Sequence, residues 1–90
     1  MTLSREAEIV NRLGLHARAA ARFVNLASRF SAHIEVECER MCVNGKSIMG
    51  LMMLAASQGK RITLHARGKD AAAALDALSE LIAERFGEDS

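Results

Sequence analysis

The sequence predicts a two-layer α+β domain, an open-faced sandwich in which three helices cover one side of a four-stranded antiparallel sheet. Residues 33–39 alternate polar and apolar side chains without exception, which is typical of a strand with one solvated and one covered face. Two segments, near residues 17–30 and 71–86, carry apolar residues at helical spacing. The 90 residues contain no Pro and no long linker, so one domain spanning residues 1–90 is expected.

The first half of the chain is predicted to form a strand, a helix and two further strands. The first strand runs from Ser4 to near Val10, because Ala7 and Ile9 alternate with acidic residues. The remaining predicted elements are a loop at 11–15, a helix from Ala17 to Arg29 or Phe30, the strand at 33–39, and a short strand from Met41 to Val43 that the turn Asn44-Gly45 ends.

The second half is predicted to add a helix, a strand and a final helix. Residues 46–56 form a helix with Ser47 as its N-cap, and the fourth strand follows the turn at Gln58-Gly59. Asp70 is expected to cap a helix that ends near Phe86, and residues 87–90 are expected to fray. The predicted buried stripe of that helix is Ala71, Ala74, Leu75, Leu78, Ile82 and Phe86.

Composition excludes several functional classes. The formal charge of +1 and the absence of Trp and Tyr argue against nucleic-acid binding. No apolar run is long enough for a membrane span and the N-terminus has no signal-peptide pattern, so no membrane insertion and a cytoplasmic location are expected. Cys38 and Cys42 have neither redox spacing nor the partners of a zinc site, so reduced thiols, no metal and no cofactor are expected.

His16 is the candidate reactive residue. It follows Gly14 and directly precedes the first predicted helix, so it lies at or next to an N-cap, where free N–H groups and the helix dipole favour an anion such as phosphate. Arg18 can fold its guanidinium back towards the same point. These groups describe a histidine that could carry a phosphoryl group. On chemistry alone, a histidine near a helix start is more often a solvated surface residue or a partial cap, and His33 and His65 are predicted to be solvated sheet residues.

The second predicted helix has too many large apolar residues for one buried face. Ile48, Met49 and Met52 share one side, and methionine is frequent on adaptable docking surfaces. The pattern leaves two alternatives open, an exposed patch for a partner or burial under a loop.

The chain resembles the HPr family, the histidine-containing phosphocarriers of the bacterial phosphoenolpyruvate-dependent phosphotransferase system. Residues 11–18, Asn-Arg-Leu-Gly-Leu-His-Ala-Arg, look like the active-site loop of that family, and residues 46–50, Lys-Ser-Ile-Met-Gly, look like its regulatory serine segment. The resemblance implies that His16 accepts a phosphoryl group on Nδ1 from phospho-enzyme I, that Arg18 stabilises the phosphate, and that an enzyme IIA protein receives it. The chain would then be a carrier without independent enzymatic activity, and we expect a monomer.

The same resemblance implies a docking surface and a regulatory site. Partner-binding positions would be Ala17, Ala21, Ile48, Met49 and Met52. Ser47, which by itself is most simply an N-cap, would be the target of an HPr kinase/phosphorylase, and a phosphate there would impede docking. Ala19 departs from the family pattern, which usually has Pro, and this puts the transfer rate in doubt.

Alternatives within and outside this resemblance stay open. The role could belong to sugar uptake or to the nitrogen-related branch of the system, which the predicted long Met-rich second helix and the acidic tail Glu88-Asp89 resemble. A different class of function is a non-catalytic regulatory module that binds through the apolar second helix, with Ser47 phosphorylation as its switch. A redox or metal role through the two cysteines is disfavoured by their spacing.

Overall fold

A computed structural model describes all residues from 1 to 90 and shows four strands and three α-helices in the predicted order. The strands are β1 (Thr2–Glu8), β2 (His33–Cys38), β3 (Met41–Asn44) and β4 (Arg61–Arg67). The helices are α1 (Ala17–Ala27), α2 (Ile48–Met53) and α3 (Ala71–Ala83), followed by a 3₁₀ turn over Arg85–Gly87.

The sheet has the order β1-β4-β2-β3, and every neighbouring pair is antiparallel. In its centre, Val36 of β2 lies opposite Leu64 of β4, and both side chains are buried. Glu35 lies opposite His65 on the other face. The period of two along β2 and β4 therefore separates a covered face from a more exposed face, as the sequence predicts.

One hydrophobic cluster joins the sheet to the helical layer. Phe23 of α1, Leu51 of α2 and Leu78 of α3 are all at most 1% exposed and belong to the same cluster as the inner face of the sheet. The predicted stripe of α3 is buried at all six positions. The predicted two-layer architecture, with three helices on one side of the sheet, is confirmed.

All three helices are shorter than the sequence predicts, and α3 ends at Ala83 instead of near Phe86. α1 ends at Ala27, because the N–H groups of Arg29 and Phe30 turn back to carbonyls three residues earlier instead of continuing the α-helical pattern. α2 contains six residues, not the eleven predicted, and Ala55 beyond it takes a left-handed φ of +50°. The prediction of a long Met-rich second helix was therefore wrong.

Asp70 occupies the predicted N-cap position of α3 but makes no side-chain cap bond. Its carboxylate instead accepts hydrogen bonds from the N–H groups of Ser31 and Ala32, both at 2.8 Å. Asp70 therefore fastens the connection between α1 and β2 to the start of α3.

None of the helices is long and apolar enough to cross a membrane.

Candidate functional site

The candidate site begins at His16, which is the N-cap residue of α1 with extended backbone angles (φ −75°, ψ 178°). The N–H of Ala20 donates to the His16 carbonyl at 2.9 Å and forms the first bond of the helix. The N–H groups of Ala17, Arg18 and Ala19 therefore have no carbonyl partner within the helix. His16 lies where the free donors and the positive end of the helix dipole are concentrated, as predicted.

The loop before His16 is fixed by close backbone contacts. Gly14 has a φ of +66°, and a Cβ at this position would overlap the carbonyl of Ala56. The next residue, Leu15, donates its N–H to that carbonyl at 2.9 Å. Gly14 is therefore required both for its conformation and for the close approach to the segment after α2.

Asn11 supports the loop from inside. It is fully buried, and its Nδ2 donates to the carbonyl of Gly14 at 2.9 Å and to Oε1 of Glu88 at 3.0 Å. A buried amide with two such bonds fixes both the loop and the residue it contacts. The sequence placed Asn11 in the loop but gave no sign of this role.

The C-terminal segment folds over the site, so the prediction that residues 87–90 fray was wrong. The other carboxylate oxygen of Glu88, Oε2, pairs with Nε2 of His16. The carbonyl of Ser90 accepts from the N–H of Arg12 at 3.1 Å. The fully buried Phe86 holds the segment in place, and its carbonyl accepts from the guanidinium of Arg22.

The pKa of the Glu88 carboxyl lies below its ordinary value of 4.5. Burial acts to raise the pKa of this carboxyl, since only 10% of the side chain is exposed. Hydrogen bonds from Asn11 and His16, together with the charges of His16 and Arg18, outweigh burial and lower the pKa. Glu88 is therefore ionised at neutral pH.

Arg18 is exposed and makes no side-chain hydrogen bond or ion pair. It lines a cleft of about 220 Å³ together with the basic residues Arg12 and Arg22 and the acidic residues Glu88 and Asp89. Its guanidinium can therefore turn towards an anion that binds near His16 without breaking an existing interaction.

The side chains of the predicted docking patch are exposed. Ile48, Met49 and Met52 are 40%, 77% and 44% exposed, and Met53, which lies outside the predicted patch, is 65% exposed. α2 packs against α1 and buries only Leu51. The patch thus adjoins the helix that begins at His16, where Ala17 is exposed and Ala21 is half-buried.

Ser47 is the N-cap of α2, as predicted. Its Oγ accepts from the N–H of Gly50 at 3.0 Å, and the residue is half-buried. The hydroxyl therefore has a structural role that is independent of any modification.

The cysteines and the other histidines lie away from this site. Cys38 is buried, whereas Cys42 is exposed on the outer face and donates to Glu35 at 3.6 Å. The two thiols point to opposite faces of the sheet and cannot share a disulfide or a metal ion. Burial and then the charge of Glu35 raise the pKa of Cys42.

On the same outer face, His33 pairs with Glu35, and His65 contacts Ser4 and Glu37.

Comparisons of the sequence and of the structure with known proteins agree on one family. A sequence model of the family described as "PTS HPr component phosphorylation site" matches residues 3–84. The phosphocarrier protein HPr of Cupriavidus necator is 49% identical over 86 residues, covering 96% of this chain and 97% of that protein. The crystal structure of HPr-C-His from Thermoanaerobacter tengcongensis superposes with a TM-score of 0.93 at 49% identity, covering 98% of this chain and 99% of that one. A crystal structure described as an HPr dimer from the same organism aligns with a TM-score of 0.77 at 53% identity, covering 90% and 93% of the two chains.

Proposed function

The chain belongs to the HPr family of phosphocarrier proteins of the phosphotransferase system, and from this premise we propose that His16 accepts a phosphoryl group from phospho-enzyme I and passes it to an enzyme IIA protein. Residues 1–90 would act as one carrier unit in the cytoplasm, without independent enzymatic activity. The position of His16 at the N-cap of α1, beside three unpaired N–H groups and the unpaired Arg18, is the observation that carries the proposal.

Each part of this arrangement has a chemical purpose in phosphoryl transfer. The lone pair of Nδ1 forms the new bond to phosphorus while the bond to the donor breaks, and that electron pair leaves with the donor. Phosphoryl transfer needs mainly positioning and stabilisation of charge on the oxygens. The free N–H groups of α1 and the guanidinium of Arg18 supply that stabilisation. His16 keeps 24% of its side chain exposed, which leaves the ring open to a partner protein.

A phosphotransfer assay tests the proposal. The protein is incubated with phosphoenolpyruvate, Mg²⁺ and enzyme I, and intact mass reports an acid-labile phosphoryl group. We expect one group on the wild type and on His33→Ala, a matched control on the outer face of the sheet, and none on His16→Ala. Absence of label on the folded wild type, with an enzyme I active on another carrier, would overturn the relay and favour the regulatory interaction module.

We propose that partners dock on the patch formed by Ile48, Met49, Met52 and the neighbouring Ala17 and Ala21. Four large apolar side chains, Met53 among them, are exposed on one short helix, and an exposed apolar cluster is typical of an interaction site. Methionine side chains adapt to different surfaces, and a carrier must bind both a donor and an acceptor. A panel of purified IIA proteins as acceptors would separate the sugar branch from the nitrogen branch.

We further propose that Ser47 is the regulatory site for an HPr kinase/phosphorylase. Ser47 precedes Ile48 and Met49, so a phosphate there would place about two negative charges beside the apolar patch. Docking would then require desolvation of that charge, and transfer would slow. Incubation with ATP and such a kinase should label the wild type but not Ser47→Ala, and label on both proteins would refute the assignment.

The carrier is proposed to act as a monomer, because a stable dimer that covered the α2 patch would compete with docking. Light scattering at micromolar concentration should give the mass of one chain. A stable dimer would contradict the proposal.

A further inference from the structure

The C-terminal segment reaches the candidate site through a sharp reversal after α3. Arg85, Phe86 and Gly87 all take left-handed backbone angles, with φ of +59°, +53° and +79°. Such angles disfavour residues with a side chain, so the segment needs compensating contacts. Phe86 supplies them, since it is fully buried and its carbonyl accepts from Arg22. The match to the family model ends at residue 84, so it does not include this reversal.

The reversal places a carboxylate against one nitrogen of His16. Oε2 of Glu88 pairs with Nε2 of the imidazole, and Oε1 accepts from the buried Asn11 at 3.0 Å. Because Asn11 also donates to the loop carbonyl of Gly14, the carboxylate is tied to the loop that carries His16. Nδ1 of His16 makes no hydrogen bond to the protein. The ring is therefore held on one side and free on the other.

We propose that Glu88 is a positioning residue that keeps the imidazole proton on Nε2 and so leaves the lone pair on Nδ1. An ionised carboxylate only accepts hydrogen bonds, so it stabilises the tautomer that carries the proton on the facing nitrogen. This inference rests on the proposed function, in which Nδ1 is the phosphoryl acceptor. The inference beyond that function is that Glu88 makes Nδ1 the available nitrogen.

The same contact stabilises the product of the transfer. When Nδ1 bonds to phosphorus and Nε2 keeps its proton, the ring becomes formally cationic while the phosphoryl group carries the negative charge. Glu88 faces the cationic ring from the Nε2 side, in the manner of a carboxylate that orients a catalytic imidazole. The proton on Nε2 of His16 stays in place during the transfer, and no further reactant is needed.

The tautomer can be measured without any phosphoryl transfer. Long-range ¹H–¹⁵N NMR of protein with ¹⁵N-labelled histidine distinguishes a protonated from an unprotonated ring nitrogen when the imidazole is neutral. We expect Nε2–H to dominate in the wild type and in Asp89→Ala, which removes the neighbouring carboxylate of the same segment. Glu88→Ala should shift the ratio of the two tautomers by roughly three- to tenfold, the size expected for loss of one hydrogen bond.

Glu88→Gln gives a second, independent readout. Asn11 and His16 contact different oxygens of Glu88, and an amide has an NH₂ in place of one of them, so a glutamine in the same position cannot present an oxygen to both. We expect the Nε2–H fraction to fall in Glu88→Gln as well, although the side chain keeps its size. Wild-type protein with the proton on Nδ1, or Glu88 variants with an unchanged ratio, would overturn the inference.

Transfer kinetics complete the test. Phosphoryl acceptance should be roughly three- to tenfold slower in Glu88→Ala than in Glu80→Ala, which removes an exposed carboxylate of α3 outside the cleft. Faster acceptance in Glu88→Ala would overturn the inference, because the segment would then obstruct the site. If no variant accepts a phosphoryl group while the NMR ratio shifts as expected, the proposed relay fails and the assignment of Glu88 to the tautomer stands.

Discussion

Replacement of Gly14 by Ala tests whether a close backbone contact holds the loop before His16. Gly14 has a φ of +66°, and a Cβ there would lie 2.9 Å from the Cα of Ser57. Gly59 is the matched control, because its φ is also left-handed, at +91°, and a Cβ there would meet nothing within 4 Å. The two variants thus share the conformational penalty and differ in the contact.

The expected magnitudes follow from these contacts. A left-handed alanine costs about 1–2 kcal/mol at either position. In Gly14→Ala the loop must also move, which breaks the bond from Leu15 to the Ala56 carbonyl and the bond from Asn11 to residue 14. Each bond contributes about 0.5–1.5 kcal/mol. We therefore expect the free energy of unfolding to fall by about 2–5 kcal/mol in Gly14→Ala and by about 1–2 kcal/mol in Gly59→Ala.

Urea denaturation provides the assay. For a domain of this size the dependence on urea is about 1–3 kcal/mol per molar, so a difference of about 2 kcal/mol separates the two midpoints by roughly 1 M. Phosphoryl acceptance should also slow in Gly14→Ala alone. Equal midpoints for the two variants would refute the reasoning, because they would show that the contact with residues 56 and 57 does not constrain the loop.

Three further predictions concern other parts of the molecule. Ala19→Pro should raise the free energy of unfolding by about 0.5–1 kcal/mol, since the N–H of Ala19 has no partner within the helix and proline restricts the unfolded chain; a lower urea midpoint would contradict this. Met49→Glu should slow transfer to partners by roughly tenfold and leave the free energy of unfolding unchanged. Ala73→Glu, at an exposed position on α3, should change neither quantity. Equal transfer rates for the two variants would show that Met49 is not part of the docking surface. Asp70 has a pKa below its ordinary 3.8, chiefly because of the N–H of Ser31, so its stabilising effect is present above pH 3.8 and is lost as the pH falls through the lower folded-state pKa. Unfolding measured from pH 6 to pH 2.5 should therefore depend less on pH in Asp70→Asn, and parallel curves for the two proteins would contradict the assignment.

Local pattern determined most of the architecture. The alternation at residues 33–39 predicts both the strand and its two faces, and Ile34 and Val36 are indeed buried while His33 is exposed. Ser47 caps α2 as predicted, because an N-cap depends only on residues within one helical turn. The same locality explains why His16 could be placed at the start of α1 from the sequence alone.

Contacts between distant segments decided what the sequence could not show. α2 ends after six residues, although residues 46–56 have helical composition, and the segment beyond it instead provides the Ala56 carbonyl to Leu15. Asp70 serves the connection after α1 rather than its own helix. In both cases a partner far away in the sequence competes with the local choice.

The candidate site divides in the same way. The sequence was enough to predict His16, Arg18 and the patch on α2 as site residues, since these predictions use only short segments of the chain. The roles of Asn11 and Glu88 became visible only in the tertiary structure. The two residues are 77 positions apart in the sequence, and the amide of Asn11 donates to the carboxylate of Glu88. Nothing near Glu88 in the sequence indicates this contact, because it depends on the reversal at residues 85–87 and on the burial of Phe86 in the common core.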